Sequence, residues 1–287
     1  MALLVPFIGN VHNAAADLDE DAANLPGRAA LLDAVGAAGL RKAVHLSVVV
    51  ILVACALLGA WSALVGVGYA AGLLQYSAPP MRAKRRPIIG LLVFSQVVAL
   101  PYVHGVVTAG ADQGWARFDV DRPVVILIAQ WALLTAWFVA KGMVKNVPDR
   151  EGDLAAGVQT SATLAGSSRA AARAALLTTA AAYAVAPVIL GWGRDPAWPF
   201  ALLLLWLPVA SANVARMLPA DRATANGVLK TDMAVSVGFL LSVCLLAHPT
   251  ASVLALGAAL VLLIPTADLA DLDSRRARDL PRGTPAA

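Results

Sequence analysis

Eight apolar stretches, at about 43–60, 62–75, 87–109, 123–140, 172–190, 197–215, 231–247 and 250–267, leave this chain few ways to fold. A bilayer core takes about 20 helical residues to cross. Lipid gives unpaired backbone N–H and C=O groups no partner, so segments of this kind must be helices. The sequence predicts an all-α, polytopic transmembrane helix bundle of about eight spans. The short stretch 62–75 is expected to tilt or to pack inside the bundle. MALLVPFIG has no basic start and is too short to span, so it reads as a partial N-terminal helix rather than a signal peptide. Of the 287 residues, 59% are hydrophobic and 14% charged, against about 25% charged in soluble domains. Cys55 and Cys244 form no CxxC pair and read as small buried residues. No linker divides the chain. One domain over 1–270 is expected, followed by a basic, disordered cytoplasmic tail over 271–287.

Charge gives the bundle an orientation. With residues 10–42 on the cytoplasmic side and sides alternating thereafter, only Arg117, Arg122 and Arg194 of the 22 Lys and Arg fall outside. That bias follows the positive-inside rule. The net charge of +4 is spread over loops and tail, so it reads as membrane topology and not as a nucleic-acid surface. Trp61, Trp115, Trp192 and Trp198 fall near outer span ends, where an interfacial aromatic belt sits.

Two acidic clusters flank apolar segments on the cytoplasmic side. Asn13, Asp17 and Asp21 lie in NAAADLDED; Asp149 and Asp153 lie in NVPDREGD. Each aspartate pair is spaced i, i+4, so a helix presents both carboxylates on one face, where they repel. A hard divalent cation such as Mg²⁺ neutralises such pairs, filling its remaining positions with water and phosphate. Two clusters facing one cavity therefore read as a diphosphate site.

Three segments carry a resemblance: Asn13, Asp17, Asp21, Asn24, Pro26 and Arg28; Tyr76, Ser77, Pro79, Pro80, Arg82 and Lys84; and Lys145, Asp149, Glu151, Gly152, Asp153 and Gly157. In this order, and on one side of the membrane, they resemble the UbiA superfamily of intramembrane prenyltransferases. The resemblance implies a prenyl diphosphate that ionises at C1, followed by attack of an aromatic or other lipophilic acceptor on the allylic cation. Asp17, Asp21, Asp149 and Asp153 would be catalytic and hold Mg²⁺, with Asn13 as a neutral ligand or support. Arg28, Arg82, Lys84 and Lys145 would contact the diphosphate, and Tyr76 would face the diphosphate or the cation. Ala14 and Asn146 stand where relatives carry carboxylates, which implies weaker or rearranged metal binding. The chain also begins shortly before the first motif, short of the helices that usually precede it. An alanine-rich composition suggests a bacterial cytoplasmic membrane, with the active site facing the cytoplasm.

Other polar residues read more plainly. Asp19 and Glu20 leave the shared face and read as solvated. Glu151 is open between supporting the site and lying on the surface. His12 reads as a neighbour of the site, and His45, His104 and His248 have no spaced partner for a metal. Asp268, Asp271 and Asp273 read as solvating a helix end. Asn213 and Asp232 lie near cytoplasmic helix ends and receive no role. Two alternatives remain: a membrane terpene cyclase with no separate acceptor, and a non-catalytic relative that binds prenyl lipids. A transporter is disfavoured by the scarcity of charges at span centres.

Overall fold

In the computed structural model, which describes residues 4–16, 36–113, 123–219 and 221–269, every described element is helical. A partial helix α1 (Leu4–Ala16) precedes α2 (Ala37–Leu57) and α3 (Ala60–Ser77). A 3₁₀ turn (Ala83–Arg85) leads into α4 (Pro87–Gln113) and α5 (Pro123–Ala155). The short α6 (Ser161–Leu164) precedes α7 (Ser168–Gly191). A 3₁₀ helix (Trp198–Leu205) runs into α8 (Trp206–Ala215), and α9 (Arg222–Ala247) and α10 (Ala251–Leu269) follow. The aspartates at 17 and 21, Asn24, Pro26, Arg28 and the expected tail lie outside the described residues.

All eight apolar stretches are helical, and among the described residues six helices are long and apolar enough to cross a membrane. The other two are α3 and α10. Helix α3 is diluted by small and polar residues because its neighbours, not lipid, receive them. Ser62, Gly66, Tyr69, Leu73 and Ser77 recur at helical spacing and are buried, and α3 packs against α1, α2 and α4. A Cβ on Gly66 would come within 2.8 Å of the Cys55 sulfur, so α2 and α3 approach closely there. Cys55 is buried, as expected, but Cys244 is exposed on α9. With an apolar phase outside, a small thiol needs no protein cover.

The helices form two groups. Ile8, Val44, Ile51, Tyr69, Leu73 and Val97 make the core of α1–α4. A second core joins α5, α7, α8 and α9 through Val144, Ala172, Ala175, Val214 and Val228. An aromatic layer of Trp137, Tyr183, Phe200 and Phe239 extends it. Alanines at 171, 172, 175, 182 and 186 let α7 lie close against its neighbours, the small-residue packing that replaces hydrophobic attraction in lipid. Helices α4 and α5 join the two groups. Gln96 Nε2 donates to Thr135 Oγ1 (2.9 Å) and Tyr102 OH donates to Gln130 Oε1 (2.6 Å) across that seam. Outer faces carry exposed Leu46, Val49, Val53, Leu177, Val188 and Leu262. Trp61, Trp192 and Trp198 are exposed at helix ends. The protein is an integral, multi-pass membrane protein.

Candidate active site

Helices that cross in alternation put the C-terminal ends of α3 and α5 on the same side, and α1 ends there too. Two bonds fasten α1 to α3 at that end. Ser77 Oγ donates to Asn13 Oδ1 (2.9 Å), and His12 Nε2 bonds the Leu74 carbonyl (3.2 Å). Ser77 is 1% exposed, so the first and second motif segments meet through a buried contact. Sequence reasoning gave Ser77 no role; its signal was its place inside the Tyr-Ser-x-Pro-Pro run. His12 thus bonds α3 from the position next to Asn13.

The basic segment sorts itself by burial. Arg82 and Lys84 are half-buried, whereas Arg85 and Arg86 are exposed. Arg82 occupies the left-handed region at φ 41°, a conformation that costs a non-glycine residue of order 1 kcal/mol. Its backbone N–H donates to the Ala78 carbonyl (3.0 Å), and its Nε donates to the Ser77 carbonyl (3.4 Å). The 3₁₀ turn that follows lies directly on Gly90 of α4, where a Cβ would meet the Ala83 oxygen at 2.8 Å. Tyr76 is half-buried, with its ring 6.4 Å from that of Phe94. Phe94 and Leu91 fill the space that Gly142 of α5 leaves open: a Cβ there would lie 2.7 Å from Leu91 Cδ2 and 3.3 Å from Phe94 Cδ1. Tyr76 is thus linked to α5 through one side chain.

The third segment is helical. Helix α5 runs unbroken for 33 residues, through Pro148, and takes in both aspartates. Asp149 and Asp153 are half-buried, one turn apart; Lys145 and Glu151 are exposed. Gly157, at φ 65°, ends the helix. Val158 N–H donates to the Asp153 carbonyl (2.8 Å) and Gly157 N–H to the Leu154 carbonyl (3.1 Å), a pairing that a left-handed glycine makes accessible. The motif glycine therefore stops the helix just beyond the second carboxylate.

Asn146, one turn before these acids, and Arg150, between them, work on the loop behind them. Asn146 Nδ2 donates to Ser161 Oγ (3.0 Å). Arg150 Nε donates to the Ala162 carbonyl (3.1 Å) and its Nη2 to the Gly166 carbonyl (2.9 Å). Thr160 and Thr163 cap α6 reciprocally. The asparagine that read as a lost carboxylate is a tether, and Arg150, given no role by the sequence, satisfies carbonyls at the end of α6.

A further charged pair lies deeper. Lys141 Nζ donates to Asp232 Oδ1 (2.7 Å), with side chains 10% and 4% exposed. Reading Lys141 as a cytoplasmic loop charge is therefore corrected: α5 continues past the apolar stretch, and the residue pairs inside the bundle.

Among the described residues, no three His, Cys, Asp or Glu cluster as a complete metal cage. What α5 provides is two carboxylates on one face. That donor set fits a hard dication that retains water and phosphate oxygens, and does not suit a soft metal.

The sequence profile of the UbiA prenyltransferase family matches residues 1–225. A lycopene elongase/hydratase of Halobacterium salinarum is 32% identical over 147 residues, which is 50% of this chain and 44% of that protein. The chain thus matches less than half the length of this relative. A solved structure reported for digeranylgeranylglyceryl phosphate synthase in membranes superposes with a TM-score of 0.55 at 19% identity. It covers 84% of this chain and 80% of the other, a likeness of fold.

Proposed function

The chain belongs to the UbiA prenyltransferase family, and we propose that it is a Mg²⁺-dependent intramembrane prenyltransferase. It would move an isoprenoid chain from its diphosphate to an aromatic or other lipophilic acceptor and release diphosphate. The observation that carries this reading is the Ser77–Asn13 contact, which joins the first and second motif segments; Asp149 and Asp153 of the third lie near the end of α5 that points to the same side of the bundle. Arg82 and Lys84, both half-buried, would supply fixed positive charge for a diphosphate. Lys145 and Arg28 would add to it. Tyr76, braced by Phe94, would orient the diphosphate or face the allylic cation. The apolar bundle keeps water from a cation that water would quench. Mg²⁺, held by Asp149 and Asp153 together with Asp17 and Asp21 and supported by Asn13, would supply Lewis-acid stabilisation of the leaving diphosphate. The lycopene elongase/hydratase similarity makes a long polyene the first acceptor to offer. The site would face the cytoplasm of a bacterial membrane.

The test is diphosphate release from geranyl, farnesyl and geranylgeranyl diphosphates by membranes containing this chain, with Mg²⁺ or with EDTA, alongside Asp153→Ala. Metal-dependent release that the variant lacks supports the reading. No release from any donor, with polyene and aromatic acceptors present, refutes it.

A further inference from the structure

Lys141 and Asp232 form an ion pair inside a lipid-embedded bundle, and nothing above uses it. The two come from α5 and α9, and Nζ also lies 5.0 Å from the Trp137 ring centroid and 5.1 Å from that of Tyr183 on α7. Phe239 of α9 stacks on Trp137 at 5.6 Å and meets Tyr183 at 4.7 Å. Three helices therefore converge on one ammonium group. The next residue, Gly142, receives Leu91 and Phe94 of α4. Burial of such a pair rarely stabilises a fold more than apolar side chains of the same size would. Ionisable residues in spans are costly and mark function.

We propose that Lys141 and Asp232 are a positioning pair: they fix the rotation of α5 about its own axis, and with it the direction in which Asp149 and Asp153 point. The task of those carboxylates rests on the prenyl-transfer reading. Lys141 precedes Asp149 by eight residues, about 12 Å along the axis and about 80° around it. It can therefore reach α9 while the acids face elsewhere, and it acts as an anchor for α5 rather than a ligand. Apolar contacts tolerate slip; a lysine held by one carboxylate oxygen and two ring faces does not. A carboxylate about 6 Å from the axis moves about 2 Å when the helix turns by about 20°, and misplacement by 1 Å can cost about 100-fold in rate.

The test compares the wild type with an apolar pair, Lys141→Met with Asp232→Leu, and an exchanged pair, Lys141→Glu with Asp232→Lys. Spin labels at the exposed Leu154 of α5 and Leu177 of α7, in a Cys55→Ala, Cys244→Ala background, read the rotation. The apolar pair is expected to melt like the wild type and to shift or broaden the label distance by about 2 Å. It is also expected to lower kcat for diphosphate release about 100-fold, with KM for the prenyl diphosphate held within about threefold. The exchanged pair, which keeps the ion pair but loses the two cation–ring contacts, restores both in part. An apolar pair with an unchanged distance distribution and kcat overturns the proposal. If the wild type releases no diphosphate, the prenyl-transfer reading falls, and the distances still decide the rotation: a shift reversed in part by exchange upholds it, and no shift overturns it. Should the apolar pair fail to fold, Lys141→Gln with Asp232→Asn takes its place, with the same expected and overturning results.

Discussion

Arg150 sits between the two aspartates of α5 and holds the segment behind them, so replacing it separates loop anchoring from ligand chemistry. Its guanidinium makes two charge-assisted bonds, 3.1 Å to the Ala162 carbonyl and 2.9 Å to that of Gly166. Each bond of this type contributes about 1.5–3 kcal/mol when dry. Arg150 is only half-buried, so screening brings the pair to about 2 kcal/mol together. Arg150→Met should therefore open the 158–166 segment roughly 30-fold more often, at 1.4 kcal/mol per factor of ten. Arg150→Lys keeps the charge but loses the planar fork, and with it one of the two carbonyls. About 1 kcal/mol remains, and opening rises roughly fivefold. Hydrogen exchange of the Val158 and Leu164 amides, bonded to the Asp153 and Thr160 carbonyls, reads this local opening directly. Arg169→Met removes the same charge from an exposed position nearby and should leave exchange unchanged. Exchange in Arg150→Met within twofold of the wild type would refute the clamp.

Four further outcomes rest on the surroundings of named residues. Gly238→Ala should lower the thermal stability in detergent by about 1–3 kcal/mol, because an added Cβ meets the rigid Trp206 ring. Gly227→Ala on the same helix meets nothing within 4 Å and should be neutral or stabilising by up to about 1 kcal/mol. Ser77→Ala removes the bond to Asn13 and should cost about 1 kcal/mol in the same melt, with a raised KM for prenyl diphosphate in the release assay. Gly157→Ala forces a side chain into φ 65° and should destabilise by about 1 kcal/mol, visible as faster exchange at the last turn of α5.

Period and hydropathy located all eight apolar helices, because lipid allows the backbone no other resolution. The motif segments were legible too, and Asn13 and Tyr76 come to rest at one end of the bundle or against the α4–α5 seam. What the sequence hid was pairing over distance. Lys141 stands one residue past an apolar stretch, so it counted as a loop charge; its partner is 91 residues away. Asp232 looked like a helix-end acid for the same reason. Asn146 looked like an acid lost, because a one-dimensional motif shows which carboxylate is missing and not which hydroxyl the amide has found. Ser77 was visible as a letter in a motif, but its contact with Asn13 needed α1 and α3 side by side.

The place where α5 stops has a thermodynamic corollary. A helix ends in a cluster of carbonyl dipoles worth roughly half a negative charge, and Gly157 sets that end just after Asp153. Two anions thus occupy the part of the rod least hospitable to anions, one turn apart from each other. Each charge meets an unfavourable helix-end contribution of about 0.3–1 kcal/mol, set against the contacts that Asp149 and Asp153 make. Asp153→Asn, which removes the charge and keeps the size of the side chain, should therefore stop the reaction while moving the thermal stability by less than about 1 kcal/mol. A lost reaction beside an almost unmoved melt would identify the carboxylate as one retained for its task rather than for the fold.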